Sequence, residues 1–145
     1  MNLKSIIIAL DESSYSPVIA QRGFELAAVF DAELTMLLIR NNEAVLNASL
    51  ANASIEDMAS EEKLMKELKE IAIPYKAIQW GITILKGDPQ EEIIRYIADN
   101  KADLLVVGTH GRTGIDHWVS GSVAEHVIRH ATIPVLVMPY NHRAH

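Results

Sequence analysis

The sequence predicts an α/β domain on a five-stranded parallel sheet. Three observations carry that prediction. Five short apolar runs alternate with four longer segments of helical period. The run Leu104-Leu105-Val106-Val107 is apolar on both alternating faces, as a strand covered by helices on both sides requires. The 145 residues suit a single domain spanning positions 1–145, and crossovers between parallel strands are almost always right-handed.

Leu3 to Leu10 reads as the first strand and ends at Asp11. Pro17 to Phe30 reads as a helix, with Ala20, Gly23, Ala27 and Phe30 on one stripe and Ile19 and Leu26 beside it. Glu33 to Arg40 is the second strand. Asn41 to Ser54, rich in Asn, Ala and Ser, reads equally as a loop over a site or as an extra helical turn. Ile55 to Ala72 is a helix whose core face carries Met58, Met65, Leu68 and Ala72, while Glu62 precedes Lys66 by one turn on an exposed face. Ala77 to Leu85 is the third strand. Gly87, Asp88 and Pro89 then announce a helix: Asp88 as N-cap, Pro89 at the first helical position, Glu91 completing a capping box. It runs through Ile94 and Ile97 to Asn100. Asp103 to Val107, a helix from Gly121 to His130, and a last strand from Pro134 to Met138 complete the order.

Composition narrows the function. Hydrophobic residues at 49% and charged residues at 22% describe a folded chain with a core, not a disordered one. The absence of cysteine excludes a disulfide framework, a thiolate metal site and a cysteine nucleophile, and agrees with a reducing compartment. A net charge of −6 argues against general affinity for nucleic acid or anionic membrane. Runs such as Ile6 to Leu10 fall far short of the roughly 20 apolar residues that spanning a bilayer takes. The amino-terminal apolar run is also too short for a secretory signal, so the expected location is the cytoplasm.

The most informative stretch is Gly108 to Ser122, GTHGRTGIDHWVSGS. Neither a P-loop nor a G-x-G-x-x-G is present. Glycines recur instead at 108, 111 and 114 after a buried strand, and Gly121-Ser122 opens the next helix. Glycine permits positive φ and close approach of backbone N–H groups, and a helix N-terminus adds unpaired donors with partial positive charge. Together they suit an anion such as phosphate, with Arg112 as the strong cation of the loop. The competing reading is structural: Gly108 ends a strand, and Ser122 with Glu125 forms a capping box.

The spacing Gly108-x2-Gly111-x9-Gly121-Ser122 resembles the ATP-binding signature of the universal stress protein family, G-x2-G-x9-G-[ST]. The likeness extends through IIIALDESSYS, LKGDPQEEII, LLVVGTHGRTG and IPVLVMPY, nearly the whole chain. It implies an open sheet of strand order 3-2-1-4-5 with helices on both faces, and the subset of members that binds ATP. It further implies a nucleotide site made by Ala9, Asp11, Ile39, Gly108, Thr109, His110, Gly111, Arg112, Gly121, Ser122 and Val123. That strand order puts the switch point, where open α/β sheets bind ligands, between strands 1 and 4. In ATP-binding relatives the counterpart of Asp11 touches the ribose or adenine side, a task suited to a carboxylate acceptor; otherwise Asp11 is a helix cap or turn residue. Ile39 falls where relatives read the adenine edge through backbone, although Leu38 stands where relatives often have His. His110 either donates to phosphate or caps its turn.

His126 and His130 lie one turn apart and are spaced to share a metal, but with no Glu completing H-E-x-x-H they read as a solvated helix face. His142 and His145 sit in a polar tail, and His117 and Trp118 pack the loop against the domain. Neither Ser13 nor Ser122 has a nucleophile-elbow context, and no carboxylate pairs with Asp11, so no catalytic constellation emerges. The expected function is a nucleotide-responsive regulator that binds ATP, or ADP or AMP, with Mg²⁺ held mainly by the phosphates, and acts on an unknown protein partner. The alternatives are a slow ATPase or adenylyl-transferring enzyme of related architecture, and an interaction protein whose glycines serve folding alone. The resemblance and the uncharged run Pro134 to Met138 imply a homodimer through the final strand, with Pro134 and Pro139 limiting its extent.

Overall fold

Strands form over short β-branched and leucine-rich runs: β1 (Ser5–Leu10), β2 (Glu33–Arg40), β3 (Trp80–Lys86), β4 (Leu104–Thr109) and β5 (Val135–Pro139). The structure, a computed structural model, describes residues 2–11, 15–40, 53–109 and 122–139, with backbone alone for 53–60. All five strands pair in parallel in the order β3-β2-β1-β4-β5, the order the resemblance implied. Among the described residues four helices connect them: α1 (Ser16–Phe30), α2 (Ala53–Ala72), α3 (Pro89–Asp99) and α4 (Ser122–His130). None of these is long and apolar enough to cross a membrane.

Because successive strand residues point to opposite faces, the central strand feeds two cores. Ile6, Ile8 and Leu10 join Ile19, Ala20, Phe24 and Ala27 of α1 and Leu64, Leu68 and Ala72 of α2. Ile7 and Ala9 join Leu37 and Ile39 of β2, Ile93 and Ile97 of α3, and Val123, Ala124 and Val127 of α4. The run Leu104 to Val107 is buried throughout, as expected of a strand sandwiched between helical layers.

The contact of α1 with the sheet depends on Gly23. A Cβ built there would overlap Ile8 Cδ1 outright and lie 2.9 Å from its Cγ1, so the missing side chain lets the helix settle onto β1. The sequence placed Phe30 in this stripe, but Phe30 is 43% exposed and Phe24 is fully buried. At about 100° per residue Phe24 stands about 40° round the helix from Ala20 and Phe30 about 80°. Phe24 also meets a ready aromatic seat: it stacks on Tyr75 with centroids 5.3 Å apart and meets Trp80 edge-on at 5.6 Å. On α2 the deeply buried stripe is Leu64, Leu68 and Ala72, with Met65 half-buried beside it; the side chain of Met58 lies outside the described residues.

Several boundaries differ from expectation for local reasons. The Asp103 carboxylate accepts from the backbone N–H groups of Lys4 and Ser5, at 3.0 and 2.9 Å. It therefore serves the start of β1, while β4 begins at Leu104 and runs on through Gly108 and Thr109. Turn bonds from Tyr75 N–H to Ala72 O and from Ile78 N–H to Tyr75 O hold the chain after Pro74, so β3 begins at Trp80 and not at Ala77. Asp88 occupies the N-cap of α3 and Pro89 follows it, but the Asp88 side chain makes no capping bond. Its carbonyl accepts from Glu92 N–H instead, and Gly87, at φ +147°, makes the sharp exit from β3 that positions it.

Candidate functional site

The carboxyl ends of the strands gather the expected residues by register. Ala9 pairs with Leu37 on β2 and with Val107 on β4. Two residues further along, Asp11, Ile39 and Thr109 come level, with Leu85 paired to Ile39 and Pro139 paired to Thr109. Here the chain winds in two directions, from β1 through α1 to β2 and from β4 through α4 to β5. This is the switch point of a doubly wound sheet.

Asp11 is only 4% exposed, an unusual burial for a carboxylate. The Ser16 hydroxyl, on the first residue of α1, donates to the Asp11 backbone oxygen at 2.6 Å and reaches its Oδ1 at 3.2 Å. Asp11 is not the cap of α1, because Tyr15 holds the N-cap position. The acid is instead fixed at the end of β1 by a hydroxyl from the helix that leaves it. Ser16 escaped the sequence reading; its signal was a small hydroxyl residue before Pro17 at a helix start.

Ala9, Ile39 and Val123 come together in the α3/α4-side core, each nearly inaccessible. Their side chains are committed to packing, which leaves the backbone as what Ala9 and Ile39 present at the ends of β1 and β2 and Val123 in the first turn of α4. Gly108, expected at the nucleotide site, lies at the end of β4. Its φ is not in the positive region, and a Cβ there would lie 2.8 Å from Ile19 Cδ1 and 3.0 Å from Cγ1. Its absent side chain admits Ile19 of α1, so packing by itself already calls for a glycine here. Thr109 is half-buried beside it. His110, Gly111, Arg112, Gly114 and Gly121, together with His117 and Trp118, lie outside the described residues.

Ser122 opens α4, and its carbonyl accepts from Gln90 Nε2 at 3.5 Å, tying the starts of α3 and α4 together. At the end of β2, Arg40 Nη1 lies 3.0 Å from Glu61 Oε2 and holds α2 against the sheet next to Ile39. Both contacts cross long stretches of chain, and nothing local in the sequence announced either.

The fold and the strand-end arrangement define a doubly wound, open parallel α/β protein with a buried acid at its switch point. The model of the universal stress protein family matches residues 2–139, and the chain belongs to that family. A universal stress protein of Methanocaldococcus jannaschii is 34% identical over 143 residues, which cover 93% of this chain and 81% of that one. Among solved structures, the universal stress protein UspA from Lactobacillus plantarum superposes with a TM-score of 0.79 at 24% identity, covering 95% of this chain and 99% of its own. A universal stress protein in complex with cAMP superposes with a TM-score of 0.66 at 22% identity, covering 96% and 98% of the two chains.

Proposed function

We propose that this protein binds ATP at the β1/β4 switch point and acts through nucleotide-dependent interaction with a protein partner in the cytoplasm. The observation that carries the reading is the level row of Asp11, Ile39 and Thr109 beside the opening of α4. The Asp11 carboxylate would accept from ribose hydroxyls, and the backbone at Ala9 and Ile39 would meet the adenine. Gly111, Arg112, Gly121 and the N–H groups that open α4 at Ser122 and Val123 would hold phosphates, with Thr109 and His110 beside them. Mg²⁺ would be carried mainly by the phosphates. A structural relative that holds cAMP supports an adenine nucleotide in this fold. Calorimetric titration of ATP into nucleotide-free protein should give a dissociation constant of micromolar or tighter, and no binding up to millimolar ATP would remove the proposal.

The same reading includes a homodimer through β5. The strand lies at the sheet edge with no charged side chain to guard it, and Pro139 closes one end. Leu136 and Met138 pack toward the α1/α2 core and Val135 and Val137 toward the α3/α4 core, so pairing would run through the free backbone edge and not through an outward side chain. Sedimentation at micromolar concentration should give twice the 16.1 kDa chain mass. A species at the chain mass itself would exclude the dimer.

A further inference from the structure

We propose that His126 and His130 form a two-imidazole chelate for a divalent transition metal, Cu²⁺ above all, on the last turns of α4. The pair is one helical turn apart, which sets both side chains on one stripe. The rings already meet, with centroids 4.3 Å apart and planes inclined by 40°. His126 is half-buried and His130 exposed, so a metal ion reaches both from solvent. Among the described residues neither imidazole makes a hydrogen bond or ion pair, and each has the other as its aromatic neighbour.

Metal–imidazole bonds of about 2.0–2.1 Å place two nitrogens in adjacent coordination positions about 3 Å apart. Rings with centroids at 4.3 Å reach that separation by small side-chain rotations, without moving the helix. Imidazole ligands bind Cu²⁺ most tightly among the common divalent ions, and tetragonal Cu²⁺ accepts two neighbouring nitrogens with water in its other positions. Among the described residues no group of three His, Asp or Glu side chains could hold a metal. The site is therefore an exchangeable two-ligand chelate and not a structural centre of the zinc-finger kind. A bound ion would bridge successive turns and stiffen the carboxyl-terminal end of α4. This inference stands apart from the nucleotide reading.

The test is titration of the full chain with CuCl₂, read by calorimetry and by the nitrogen hyperfine pattern in electron paramagnetic resonance. His126→Ala and His130→Ala should each weaken binding at least tenfold and lose the two-nitrogen pattern. A His142→Ala/His145→Ala double variant should bind like the parent. Cu²⁺ should raise the melting temperature of the parent and of that double variant but not of His126→Ala. Parent-like affinity in both His126→Ala and His130→Ala, or loss of binding in the His142→Ala/His145→Ala variant, would overturn the assignment.

Discussion

Gly23→Val should destabilise the protein by at least about 3 kcal/mol, the upper end of ordinary overpacking penalties. The new Cβ would fall on the Ile8 side chain, which is fully buried in the α1/α2-side core, and the two methyl groups of valine would add to the overlap. Gly23→Ala should be milder, because replacing a mid-helix glycine returns about 1 kcal/mol of helix propensity against the clash. Ile8→Val removes the very Cδ1 that the alanine would strike. It should cost about 0.5–1.5 kcal/mol alone yet make the Gly23→Ala protein more stable. Chemical denaturation of the four-protein cycle measures the coupling. A Gly23→Ala variant as stable as its parent, with no coupling to Ile8→Val, would show that α1 does not rest on β1 as described.

Asp11→Ala should weaken ATP binding by about 1.5–3 kcal/mol, the range for hydrogen bonds to a charged group, or about 10- to 150-fold. Stability should fall by only about 1 kcal/mol. The reason lies in the Ser16 hydroxyl, whose shorter bond goes to the Asp11 backbone oxygen and survives the substitution. Calorimetry with ATP and urea denaturation on the same preparation separate the two effects. A variant that loses stability but keeps its ATP affinity would assign Asp11 to anchoring α1 alone.

Much of the fold was legible because strong local signals coincide with it. Leu104 to Val107 could be read as a doubly covered strand from its composition, and Gly87-Asp88-Pro89 marked the start of α3. The strand order was not legible from alternation, since several right-handed windings satisfy the same β-α sequence; it came from the family resemblance. The misses share a physical origin in tertiary contacts. Phe24 displaced Phe30 from the core because Tyr75 and Trp80, far along the chain, provide its seat. Gly108 looked like a residue chosen for backbone freedom, but Ile19 of α1 occupies the space its side chain would take. At the site, the family resemblance pointed to Asp11 and to Ile39 at the end of β2, whereas Ser16, Gln90 and Arg40 became visible only through contacts that bridge helices and strands.

The most direct test of the central claim is to denature freshly purified protein and identify the released small molecules by mass spectrometry. An adenine nucleotide, with ATP foremost, is expected at close to one per chain and should be absent from a Gly121→Val preparation, where a branched side chain would stand at the helix start proposed to hold the phosphates. Release of no nucleotide, from protein that also fails to take up added ATP, would contradict it.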